Sequence, residues 1–114
     1  MKTLAKRVFD AAHLTGEFTL RSGVVANSYF DKYRFESNPV LLKDVATALL
    51  DKLPAEYDVL AGLELGGVPI AVMLSQLTGK PVVFVRKEAK TYGTCRLAEG
   101  TEIDGKRLLV VEDV

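Results

Sequence analysis

At 114 residues the chain has room for one domain with a real core and not for two, while 48% hydrophobic and 26% charged residues with 9 Gly and 4 Pro exclude fibrous, low-complexity and disordered readings. Fifteen Lys plus Arg balance fifteen Asp plus Glu, so no whole-molecule field draws the protein to nucleic acid or to an anionic membrane, and polyanion chemistry must come from a local cluster. The single cysteine, Cys95, allows no internal disulfide and no thiolate metal site, and charges interrupt every apolar run of the opening MKTLAKRVFDAAHL; the expectation is a cytoplasmic protein with no signal core and no membrane span.

Along the chain, residues 2–14 place Leu4, Val8 and Ala11 or Ala12 on one helical face, which predicts an amphipathic helix closed by Gly16. EFTLRSGVVANSYFDKYRFESN mixes β-formers with Gly, Asn and Ser and lacks a helical period, so short strands and a loop are expected. Ser37-Asn38-Pro39 signals a helix start, with Asn38 as cap and Pro39 in the first turn. Leu42, Val45, Ala46, Leu49 and Leu53 then recur at helical spacing until Pro54. From Asp58 the pattern becomes an apolar run (DVLAGL), a glycine turn (ELGG), a helix (VPIAVMLSQLTGK) and a second apolar run (PVVFV), which reads as a βαβ unit of buried parallel strands. RLLVVEDV predicts a further buried strand.

Between Val85 and Arg107 lies RKEAKTYGTCRLAEGTEIDGK, a long connection of the kind used as a lid or binding loop. Its part from Arg86 to Arg96 carries Arg86, Lys87, Lys90 and Arg96 against Glu88 alone, a local positive charge suited to a phosphate-rich substrate or simply to a solvated loop. Ile103-Asp104-Gly105-Lys106 has the composition of a tight turn, so the distal part of the loop is expected to be a β-arm returning into the last strand. Glu112 and Asp113 end an apolar strand where open α/β sheets bind ligands, although acidic residues at such ends are common. Glu64-Leu65-Gly66-Gly67 is a strand-to-helix turn able to approach a phosphate, as many turns that bind nothing also are. His13, Met73 and Cys95 are read as surface or core residues.

Together these pieces carry a resemblance. FTLRSG (18–23), SYFDKYRF (28–35), GLELGGVPIA (62–71), VVFVRKEAKTYG (82–93) and VVEDV (110–114) resemble, in order, the orotate phosphoribosyltransferase family, with RKEAK the most diagnostic. The resemblance implies an α/β, parallel-sheet phosphoribosyltransferase (Rossmann-like) fold over residues 1–114 as a single domain, incomplete at its C-terminus, with an N-terminal α+β base-binding element. It also implies transfer of the phosphoribosyl group of 5-phosphoribosyl-1-pyrophosphate (PRPP) to orotate, giving orotidine 5′-monophosphate and pyrophosphate in UMP synthesis. The transition state resembles a ribosyl oxocarbenium ion, so the enzyme's work is positioning and stabilising the departing pyrophosphate.

By motif position, Arg86, Lys87 and Lys90 would be the catalytic cations of a mobile loop that contacts pyrophosphate, reaching the neighbouring active site of a homodimer. PRPP would also be met by Tyr92, Glu112, Asp113, Arg21 and Gly66, with Glu112 and Asp113 facing the ribose hydroxyls, and orotate by Tyr29 and Phe30. Mg²⁺ would arrive mainly on PRPP, with no protein metal ligand assigned; neither nucleic acid nor membrane is expected as a partner. Three departures stand out: Tyr92 where many relatives have His, Gly66 where many have Lys, and no Thr- and Gly-rich phosphate loop after the acidic pair, from which poor donor binding by this stretch alone is expected. The alternatives are a phosphoribosyltransferase for another base and an inactive truncated or regulatory relative.

Overall fold

The computed structural model describes residues 2–114. Helix α1 (Leu4–Ala12) starts where Thr3 Oγ1 accepts from the Lys6 amide at 3.2 Å. Its apolar side, Leu4, Val8, Ala11 and Ala12, packs on Phe35 and Leu41, one of three small cores. The helix does not reach Gly16. His13 is already extended and opens strand β1 (His13–Thr19), because pairing of His13, Leu14 and Thr15 with Phe30, Tyr29 and Ser28 of strand β2 (Val25–Phe30) displaces the last helical turn. Gly16, at φ +149°, serves instead the register shift between Thr15 and Phe18. His13 stacks on Phe9 at 4.5 Å, a packing role.

The β1–β2 hairpin turns at Arg21–Gly23, where the Gly23 and Leu20 amides close on Leu20 and Val24 carbonyls at 2.8 Å each, with Gly23 at φ +88°. It forms a two-stranded sheet of its own. The segment after it is not extended: α2 (Lys32–Glu36) is a short helix capped by Asp31, whose Oδ1 accepts from the Tyr33 amide. Helix α3 (Pro39–Leu49) begins as expected, with Asn38 Oδ1 accepting from Val40 and Leu41 amides at 3.1 Å, and frays through a 3-10 turn at Leu50–Lys52 before Pro54.

The main sheet has the order β5-β4-β3-β6. Strands β3 (Val59–Leu63) and β4 (Val82–Val85) are parallel and joined through helix α4 (Gly67–Thr78), the βαβ unit read from the sequence. Helices α3 and α4 cover one sheet face and bury Leu60, Ile70, Leu74 and Val111 with Ala46 and Ala71. On the other face Val59, Ala61 and Val83 are buried beneath Ile103. Glycines set the close approach of α4: a Cβ on Gly62 would meet that of Ala71, and one on Gly67 would run into the Val111 carbonyl.

Two expectations are corrected here. The arm is strand β5 (Ala98–Gly100), which pairs antiparallel with β4 rather than with the last strand; the turn at Ile103–Lys106 then carries the chain across the sheet to the opposite edge. Strand β6 (Leu108–Val111) is an edge strand, parallel to β3, buried at Val111 but with Val110 58% exposed, and so is not the fully buried strand expected. Its entry is fixed by Asp58, whose Oδ2 accepts from the Arg107 amide at 2.8 Å, a bond that, with the Arg107 charge, holds the carboxyl below its usual range. The radius of gyration, 16.2 Å, exceeds the roughly 13 Å of a compact domain this long. The hairpin sheet and the main sheet are separate layers joined through α1–α3.

Candidate active site at the carboxyl ends of the parallel strands

Parallel strands leave their carboxyl ends, and the turns that follow, on one rim of the sheet. Here that rim holds a cleft of about 190 Å³ lined by Leu63, Glu64, Val85, Arg86, Lys87 and Glu112, one contribution from each of β3, β4 and β6. It adjoins a wider groove of about 420 Å³ formed by Glu64 and the segment Arg86–Tyr92. The structure thus brings Arg86, Lys87 and Glu112 together, with Lys90 and Tyr92 alongside.

The basic segment is more organised than a solvated loop. The Arg86 amide bonds the Leu97 carbonyl at 2.8 Å and the Lys87 amide bonds Glu64 Oε1 at 2.8 Å. Arg86 Nε donates to Glu99 Oε2 at 2.7 Å, and Lys90 Nζ pairs with the other oxygen of the same carboxylate. Lys90 also lies over the Tyr92 ring at 5.4 Å. Bonds from Lys90 and then Arg86 hold the Glu99 carboxyl below its ordinary range, and Glu99 in turn raises Arg86. The local positive charge is therefore partly neutralised, since Arg96 also pairs with Glu102 at 3.1 Å. Lys87 alone of the four cations has no ion pair among the described residues. Glu99, the counter-ion of this segment, lies beyond Arg96 in the chain, and the β4–β5 pairing brings it to Arg86, so the local charge pattern does not reveal it.

The acidic pair divides. Glu112 lines the cleft, while Asp113 turns inward, its side chain 9% exposed, with Oδ1 accepting from Lys32 Nζ at 3.3 Å. Gly66, just before α4, lies so close beneath Asp113 that a Cβ there would collide with the carboxylate. The Gly66 position is thus occupied by an acidic side chain of this protein, and a Lys there would need that carboxylate to move.

The orotate candidates Tyr29 and Phe30, and Arg21 of the PRPP candidates, lie away from this cleft. Arg21 and Tyr29 share an open groove of about 470 Å³ with Glu17, Phe18, Thr19 and Leu20, where Phe18 and Tyr29 stack at 5.6 Å. Phe30 is 42% exposed and lines neither this groove nor the cleft. The hairpin groove and the basic cleft have no lining residue in common; their link is α2, which continues from β2 and reaches Asp113 through Lys32. Among the described residues no three His, Cys, Asp or Glu converge as a metal cage, and no helix is long and apolar enough to cross a membrane.

No protein-family model matches the chain. It is 56% identical over 112 residues to the orotate phosphoribosyltransferase of a Nocardioides species, covering 98% of this chain and 63% of that protein. The crystal structure of Mycobacterium tuberculosis orotate phosphoribosyltransferase in complex with Fe(III) dicitrate superposes with a TM-score of 0.74 at 36% identity, over 96% of this chain and 65% of that one. The same enzyme in complex with PRPP gives a TM-score of 0.67 at 31% identity, over 96% and 62%. The chain spans about three fifths of the length of the relatives it matches. By sequence and by fold, over nearly all of its own length, it is a relative of the orotate phosphoribosyltransferases.

Proposed function

We propose that the chain serves orotate phosphoribosyl transfer: the phosphoribosyl group of PRPP passes to a ring nitrogen of orotate, the bond from the sugar to pyrophosphate breaks, and its electron pair leaves on pyrophosphate. The observation that carries this reading is the convergence of Arg86 and Lys87 with Glu112 in one cleft at the carboxyl ends of β3, β4 and β6. Cations beside that cleft fit the departing pyrophosphate, and a carboxylate across from them fits the hydroxyls of the sugar.

In this reading Lys87, free of an ion pair, meets the pyrophosphate first, and Arg86 and Lys90 join when phosphate oxygens take the place of Glu99. Tyr92 adds a hydroxyl to the same groove. Glu112 faces the ribose, with Asp113 behind it over Gly66. Orotate is taken by the hairpin groove with Tyr29 against the ring; Arg21, which the resemblance assigned to PRPP, lines the same groove, and Phe30 does not. Mg²⁺ would be carried in on PRPP oxygens and, when bound, would neutralise the charge that builds on pyrophosphate. We place residues 1–114 in one domain and the working unit in a cytoplasmic homodimer in which the basic arm of one subunit reaches the cleft of the other; neither nucleic acid nor membrane is a partner.

The test is a transfer assay with PRPP and Mg²⁺ against orotate, uracil, hypoxanthine and adenine. Orotidine 5′-monophosphate formed from orotate alone is the expected result. Transfer to a purine, or no transfer to any base despite donor binding, overturns the reading.

A further inference from the structure

The two carboxylates that end β6 have different surroundings, and the second is held by groups that the transfer reaction does not require. Asp113 Oδ1 is met by Lys32, but Oδ2 is buried and has no donor. Glu36, the last residue of α2, lies one helical turn beyond Lys32 and so on the face from which Lys32 meets Asp113; it is 5% exposed and its two carboxyl oxygens also lack a donor. Buried carboxyl oxygens facing each other without a donor are costly unless one group keeps its proton, because two ionised carboxylates at contact repel and one lysine neutralises only one charge. A single proton on Glu36, donated to Asp113 Oδ2, pairs two of these three oxygens and removes one of the two charges.

We infer that Glu36 is a positioning residue that keeps its proton and donates it to Asp113 Oδ2, so that Lys32 and Glu36 together fix the Asp113 carboxylate over Gly66. Burial first, and then the Asp113 charge, push the Glu36 carboxyl up to about 7, with Lys32 pulling the other way. The charged groups acting on Glu36 are Asp113 at the end of β6 and Lys32 at the start of its own helix. Helices α1 and α3, packed on α2, direct charges to one another, Arg7 pairing with Asp44 at 2.8 Å, and Lys6 pairs with Asp10 within α1 at 3.0 Å. The hydrogen bond stands on this geometry; its value to the reaction rests on the function proposed above, in which Asp113 backs the ribose site.

Carbon-13 NMR of the Glu36 carboxyl across a pH titration of the 114-residue chain reads the proton directly. The expected midpoint is near 7, against an ordinary 4.5, and it moves down toward that value in Asp113→Asn. A Glu36 midpoint in the ordinary range, or one unmoved by Asp113→Asn, overturns the inference. Glu36→Gln, whose amide can donate to Oδ2, is expected to preserve the thermal midpoint at neutral pH and the PRPP affinity measured with Mg²⁺. Glu36→Ala is expected to weaken that affinity about tenfold, and equal affinities in the two variants overturn the positioning role. In a longer protein that carries this chain, a Glu36 that titrates near 7 without any PRPP binding supports the hydrogen bond and overturns the proposed function, so the two failures are distinguishable.

Discussion

The rim of the sheet holds two charged regions that satisfy their charges in opposite ways. In the basic arm, Arg86 and Lys90 share Glu99 on a partly exposed surface where water or a phosphate can replace the carboxylate at little cost. At the end of β6, Asp113 is held over Gly66 with its side chain 9% exposed and Glu36 is buried, so these two carboxyls have little water to replace a lost partner, although Lys32 itself reaches solvent. The comparison separates a part suited to exchanging partners from a part suited to holding one geometry.

The most disruptive way to break the fixed half is Gly67→Ala. Its Cβ would enter the Val111 carbonyl, a backbone atom that cannot swing aside, so α4 must lift from β6. We expect a loss of about 3 kcal/mol, measured as a lower denaturant midpoint; an unchanged midpoint would show that the helix is not seated there. Next comes pH. A carboxyl raised in the folded state contributes stability that is fully present below its unfolded value and is lost as pH rises through its folded one. Melting temperature should therefore fall between about pH 5 and 8 as Glu36, at about 7, ionises, and Glu36→Gln should flatten that part of the curve. Gly66→Ala would bring its Cβ against the Asp113 side chain and not against backbone, so the carboxylate must shift. It should cost about 1 kcal/mol by chemical denaturation, chiefly through the Lys32 contact. The smallest effect sharpens the exchangeable half: Glu99→Gln should raise the affinity for Mg²⁺-pyrophosphate a few-fold, as expected when a part-buried carboxylate stops competing for Arg86 and Lys90. Isothermal calorimetry reads it.

What the sequence made legible was whatever depends on neighbours in the chain. The Asn38–Pro39 start, the period of α3 and the alternation of apolar runs with ELGG were visible because caps, periodicity and turn glycines act locally. The placement of Arg86, Lys87 and Glu112 on one rim followed from strand polarity alone. Helix α2 escaped because five residues hold barely one period, and its stability comes from burying Phe35. The helix stop was misplaced at Gly16 because hairpin pairing, a contact with Phe30, overrode it at His13. The arm's true partner, β4, and the role of Glu99 depend on strand register. The Lys32–Asp113 contact joins residues eighty-one positions apart, and no local pattern announces it.

The central claim is that the cations of the basic arm grip the pyrophosphate end of an activated sugar. Its most direct test is calorimetric titration of Mg²⁺-PRPP into a longer protein that carries this chain and into its variant with Arg86→Gln, Lys87→Gln and Lys90→Gln. Because charge-assisted hydrogen bonds contribute about 1.5 to 3 kcal/mol each, the variant should bind at least a hundredfold more weakly while its melting temperature stays close to wild type. Equal affinity in the two proteins would contradict the account.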